Sequence, residues 1–178
     1  MKSVRILRFM TTSEQFWSRL LDEEIARGNV SAEGVFQEYL SVRGANNNIR
    51  NEAAEWLFGS FVKFTQRLVS DGFQISVERN EESQFAFHWA TLSGPSIVVS
   101  NGLRKLSCEV GSIKAPGHGI IKGGGIAIAR LSHFGIPEKD QILRLIAGEE
   151  TARWVVDGSR TRELDAYDLV RHFKILLS

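Results

Sequence analysis

Residues 73–110, FQISVERNEESQFAFHWATLSGPSIVVSNGLRKLSCEV, decide the fold class. Phe73, Ile75 and Val77 alternate with Gln74, Ser76 and Glu78, and Phe85, Phe87 and Trp89 alternate with Ala86, His88 and Ala90. A period of two puts successive side chains on opposite faces of an extended chain, so both runs predict strands. RNEES (79–83) predicts the turn between them, and the three aromatics predict one core face. SIVVSNGLRKLSCEV (96–110) predicts a second hairpin around Asn101-Gly102, because both positions of a tight two-residue turn need positive φ. Leu106, Cys108 and Val110 then alternate inward on the returning strand. The stretch reads as a four-stranded antiparallel meander.

Outward from it, the period becomes helical. On the N-terminal side, Thr12 and Gln15 make a capping-box pattern for a helix ending at Gly28. A short helix is expected after Ser31, with Val35, Phe36, Tyr39 and Leu40 inward. GANNN (44–48) reads as a polar linker. The longest helix is then expected from about Ile49 to Val69. Ile49, Ala53, Trp56, Leu57, Phe61, Phe64 and Leu68 form its apolar face, widened by Phe58 and Val62. On the C-terminal side, Pro137 in the favoured first position predicts a helix through PEKDQILRLIAG, ended by Gly148. TARWVVDG (151–158) predicts a strand. Residues 161–178 predict a last helix with Leu164, Tyr167, Val170, Phe173 and Leu177 inward. The expected fold is α+β: an antiparallel β-meander of four to six strands packed against N-terminal and C-terminal helices. It is read as a single domain over 1–178, helical from about 12 to 70 and sheet-centred from about 71 to 178.

The chain has 178 residues, ample for a buried core. Its formal net charge of +1 does not advertise a polyanionic partner. Cys108 is the single cysteine, which excludes an intramolecular disulfide and a cysteine-based zinc cage. A reducing compartment follows as the expectation: cytoplasmic or nuclear, not secreted, with no membrane partner, since Arg5 and Arg8 interrupt the N-terminal apolar run.

The glycine-rich stretch GHGIIKGGGIAIARL (117–131) is the one candidate for gripping an anion. It is not a Walker loop, because Lys122 precedes the glycines and Ile126 follows them. It lacks the Gly-x-Gly-x-x-Gly of a dinucleotide turn and the Gly-x-x-Gly of a KH-type RNA clamp. A plain hairpin turn between the flanking segments GII and GIAIARL explains it as well. Charge nevertheless gathers around it. From Asn101 to His133 five cations face Glu109 alone, a net +4, whereas from Thr11 to Leu40 six acidic residues oppose Arg19 and Arg27, a net −4. The candidate anion- or nucleic-acid-binding residues are Arg104, Lys105, Lys114, His118, Lys122, Gly123, Gly124, Gly125 and Arg130.

No catalytic or metal constellation stands out. His88, His118, His133 and His172 form no zinc-helix spacing, and there is no Gly-x-Ser-x-Gly elbow. His172, in the last turns of the final helix, suits the helix dipole as a cation. Adjacent pairs such as Glu81-Glu82 and Glu149-Glu150 read as polar ends of elements. HWATLSGPSIVVSNGLR (88–104), followed by GHGI (117–120), resembles part of the NAD-binding core of ADP-ribosyltransferases of the poly(ADP-ribose) polymerase type. The resemblance spans about His88 to Ile120 and implies nicotinamide-ribose contacts at His88 and Gly102. This sequence has Trp89 where that family has glycine, and the family's acidic residue has no counterpart that can be placed. The leading expectation is a non-enzymatic binding or regulatory protein, without cofactor, acting on a protein partner or by self-association. The alternatives are a nucleic-acid binder using segment 101–133, and a phosphate- or NAD-using enzyme.

Overall fold

Helix α1 runs unbroken from Ala32 to Ser70, 39 residues, in the computed structural model. The structure describes residues 19–20, 23, 26–27, 32–114, 121, 125–148, 151–158 and 161–178. The helix expected over 12–28 lies largely outside these residues; positions 19, 20, 23 and 26 are helical. GANNN is helix, not linker. It contains no proline; Asn46 is buried, and Asn47 Oδ1 accepts from Arg50 Nη1 at 2.8 Å. An asparagine held this way does not compete for the helix backbone. A Schellman turn ends α1, with Gly72 at φ 93° and Phe73 N–H donating to the Leu68 carbonyl at 3.0 Å.

Among the described residues seven strands follow, not four to six: β1 (Ile75–Phe87), β2 (Ala90–Asn101), β3 (Arg104–Gly111), β4 (Ala127–His133), β5 (Gln141–Ala147), β6 (Ala152–Val156) and β7 (Arg162–Glu163). They form one antiparallel sheet in sequence order, with β1 and β7 at its edges. Helix α2 (Ala166–Leu177) closes the chain. Its N-terminus carries a capping box in which Asp165 and Asp168 each accept the other's backbone N–H. Among the described residues no helix is long and apolar enough to cross a membrane.

Strand β1 corrects the first hairpin. RNEES does not turn the chain; β1 passes through it with a register shift between Asn80 and Ser83. A bulge absorbs the extra residue, and β2 is long enough to pair on both sides of it. The turn falls at His88 and Trp89, between the paired Phe87 and Ala90, with His88 at φ 51°. The expected aromatic face is therefore split. Phe85 is buried, Phe87 half-buried and Trp89 70% exposed. The second hairpin has Asn101 paired with Arg104 and Gly102 at φ 58° in the turn.

The helix expected at PEKDQILRLIAG is also corrected. Pro137–Lys139 form one 3₁₀ turn, and Gln141–Ala147 are β5. The segment lies between β4 and β6 and pairs with both. Extended pairing buries Leu143 and Leu145 completely on one face, roughly 1.5–3 kcal/mol each, which outweighs a modest helix propensity.

One face of the sheet carries the main core. Ala54, Leu57, Phe58 and Phe61 of α1 and Leu169, Phe173 and Leu176 of α2 pack on Ile97, Val99, Leu106, Cys108, Leu131, Leu143 and Leu145. Burial pushes the Cys108 thiol well up, and the neighbouring Glu109 charge adds to this, so Cys108 is a small core residue. The Trp154 indole N–H donates to the Ala53 carbonyl at 3.0 Å, tying α1 to β6. Four residues expected inward lie at the surface instead: Phe36, Leu40, Trp56 and Val62 are exposed, as is Tyr167 on α2. A second cluster (Phe85, Ala90, Leu92, Ile121 and Ile128) lies apart from the first. Ile128 alternates with the core residues Ala127 and Ala129, so this cluster covers the opposite sheet face.

Candidate functional site

The misread asparagine segment builds a site. In a continuous helix Arg43, Asn47, Arg50, Asn51 and Ala54 fall on one stripe at three- and four-residue spacing. That stripe faces Ser93, Gly94 and Pro95 of β2 and the chain from Val110 to Lys114, enclosing a cleft of about 310 Å³. Glycines form its floor. A Cβ on Gly94 would meet the Val110 carbonyl at 2.3 Å, and one on Gly111 would meet the Phe85 ring at 2.8 Å. Their absence lets Ser93 and Ser112 exchange two backbone hydrogen bonds of 3.1 Å.

The cations of the cleft are held in place. Arg43 donates from Nη2 to the Lys114 carbonyl at 2.8 Å and from Nη1 to the Tyr39 hydroxyl at 2.9 Å. Its guanidinium carbon lies 5.7 Å from the Tyr39 ring centre. Arg50 donates from Nε to the Ile126 carbonyl at 2.7 Å. Lys114 is exposed at the rim. The acid on the lining, Glu81, is paired to Arg79 at 2.7 Å, and Arg79 also holds Glu55 at 2.5 Å. The hydrogen bonds that Arg79 donates to the Glu55 and Glu81 carboxylates raise the Arg79 pKa and lower that of Glu55.

Of the nine residues picked from sequence, five are described, and of these five Lys114 alone is on this cleft. Arg104 and Lys105 begin β3, so its length, roughly 26 Å for eight residues, separates them from Lys114. Arg130 lies opposite Glu109 across β3 and β4 and pairs with it at 2.5 Å, so its charge is matched. Its guanidinium carbon lies 5.1 Å from the Phe85 ring centre. Gly125 packs against Arg144, where a Cβ would meet Cγ at 2.4 Å. Ile121, within the glycine-rich stretch, is buried in the second cluster. His118, Lys122, Gly123 and Gly124 lie outside the described residues, as do Glu149 and Glu150. His88 and Gly102 sit in the turns at opposite ends of β2, 12 residues long, and do not share a site. The acidic segment 11–40 is mostly outside the described residues; within it Glu23 pairs with Arg27 at 3.6 Å.

Sequence reasoning missed Arg43, Asn47, Arg50 and Asn51. Their helical spacing was the available signal, hidden by reading GANNN as a break. It also missed a buried imidazole pair. His133 and His172 stack with ring centres 5.1 Å apart, and His133 Nε2 lies 2.8 Å from His172 Nδ1. His172 Nε2 lies 2.8 Å from Gln141 Oε1. Gln Oε1 only accepts, so His172 carries its proton on Nε2 and His133 donates to the bare Nδ1. Burial, then the neighbouring His133 and Arg171, push His172 down to about 4, against the opposing pull of Asp168. Burial also lowers His133, with Asp140 opposing and Arg104 assisting. His172 is thus neutral at pH 7, not the dipole-matched cation expected.

A second surface lies at the sheet edge. Val62, Thr65, Gln66, Val69 and Ser70 of α1 and Ile75 and Val77 of β1 line a groove of about 500 Å³. Val62, Val69 and Val77 are exposed. The Thr65 hydroxyl is buried and has no hydrogen-bond partner among the described residues. Among those residues no cluster of three His, Cys, Asp or Glu is placed to hold a metal ion. Comparison with protein-family models, with curated proteins and with solved structures finds no match to the chain.

Proposed function

We propose that the protein is a non-enzymatic binding protein that accepts an extended segment of a partner protein along the edge of β1. The carrying observation is the groove between α1 and that edge strand, where exposed valines flank the unpartnered Thr65 hydroxyl. An edge strand offers a row of backbone donors and acceptors, and adding a strand is a common way to occupy it. An added strand with an alternating pattern would set apolar side chains against Val62, Val69 and Val77. It would also bring a polar group within reach of Thr65, whose buried unpaired oxygen costs about 1–3 kcal/mol. The adjacent charges of Glu81 and Glu82 confine this to the start of β1, from Ile75 to about Arg79, because charged residues protect an edge from pairing.

A random 12-residue peptide library, panned on the protein with a Val69→Lys/Val77→Lys variant as counter-selection, tests the reading. Both valines are exposed, so the variant should lose less than about 0.5 kcal/mol of stability. The expected result is peptides of alternating apolar pattern that protect the amides of residues 75–79 from exchange and fail to bind the variant. Peptides that bind both proteins equally, protection elsewhere, or no binders at all would refute it.

A further inference from the structure

We propose that the cleft between α1 and the ends of β2 and β3 binds the phosphoryl group of a small phosphorylated ligand. The side chains of Arg43, Arg50 and Lys114 line one cleft, and among the described residues the acid on its wall, Glu81, is paired with Arg79. Arg43 and Arg50 stand two helical turns apart, roughly 10 Å along the axis, so a group bridging them needs several acceptor oxygens. A phosphoryl group has three, and a pyrophosphate more.

The positions are fixed before any ligand arrives. The Lys114 carbonyl and Tyr39 hydroxyl hold Arg43, and the Ile126 carbonyl and Asn47 hold Arg50. These contacts use two of the five N–H donors of Arg43 and leave three. A planar guanidinium matches a phosphate edge with two parallel hydrogen bonds, and the flexible ammonium of Lys114 adds a point charge. Asn51 supplies neutral donors on the same wall. A volume of about 310 Å³ is at the small end of ligand sites, suited to a phosphorylated small molecule. This site is separate from the groove at the β1 edge, and its test does not depend on that reading.

Calorimetric titration at low salt with inorganic phosphate, pyrophosphate, AMP, citrate and a 12-nucleotide single-stranded RNA tests the proposal. The expected result is saturable binding of pyrophosphate or AMP, weakened about tenfold or more by Arg43→Gln combined with Lys114→Ala. Lys114→Ala alone changes only an exposed side chain and should weaken binding several-fold, which keeps the test valid if the double variant unfolds. No saturable binding of any phosphate probe, or equal binding by the Lys114→Ala variant, overturns it. Citrate binding as tightly as pyrophosphate overturns the phosphoryl assignment, and RNA binding without the small phosphates overturns the small-ligand assignment.

Discussion

The imidazole pair makes stability pH-dependent in a calculable way. In the unfolded chain His172 takes up a proton as pH falls through 6.5; in the fold it resists until about 4. Between those values the unfolded state binds more protons, so stability falls as the pH falls. His172 faces His133 and Gln141, with Arg171 and Asp168 acting from its own helix and Asp140 and Arg104 acting on His133. The gap is worth about 3 kcal/mol at most. Most of it, roughly 2 kcal/mol, is lost between about pH 7 and about pH 4.5. His133 is shifted in the same direction and adds to the loss. Against a typical total of about 5–15 kcal/mol, such a change is easily resolved. Urea denaturation at several pH values across this window gives the profile, above the range where carboxylates dominate. His172→Leu removes the titrating group and should flatten the profile, whatever offset it adds at neutral pH. A parent profile that is flat from about pH 7 to about pH 5, or a variant that loses as much as the parent, would show that the pair is not buried and neutral as described.

Two further predictions concern packing. Phe61 is fully buried and meets Phe173 edge-on with ring centres 5.4 Å apart, so Phe61→Ala should cost about 3–5 kcal/mol in chemical denaturation. A loss under about 1 kcal/mol would mean that α1 does not seat on the sheet. Gly94→Ala puts a methyl group 2.3 Å from the Val110 carbonyl, a backbone atom that cannot swing aside, so it should cost about 1–3 kcal/mol or more by thermal or urea melting. Neutral behaviour there would contradict the close approach of β2 and β3 that floors the polar cleft.

Legibility depended on whether local pattern and tertiary partner agreed. A hairpin at Asn101-Gly102 was readable from the turn preference, but the two turn residues are Gly102 and Leu103: Asn101 stays in β2, paired with Arg104, and Gly102 takes the positive φ without it. The final helix was readable, but its inward stripe was offset: of Tyr167, Val170, Phe173 and Leu177, Phe173 alone is buried, and Leu169 and Leu176 take the other inward places. The turn at His88 and Trp89 was not readable. Its position depends on where β2 begins pairing and on a bulge that lets β1 run through RNEES. The polar cleft was invisible for a related reason: three asparagines signal a loop by composition, and only partners such as the Arg50–Asn47 bond keep them helical.

The sequence by itself determined the α+β class, the alternation of Leu106, Cys108 and Val110 on β3 with Cys108 inward, and the helical stripe through Leu57, Phe61 and Phe64. Each follows from a period of 2 or 3.6 that local geometry imposes. Tertiary structure alone decided that 141–147 is a strand, since its apolar run suits either state until β4 and β6 pair on both sides. It alone decided that Arg130 is matched by Glu109, that His133 meets His172 across 39 residues, and that Arg43 and Arg50 face Lys114. Charge and protonation depend on neighbours in space, and neighbours distant in sequence are fixed only when the sheet's register and the helices' docking are fixed.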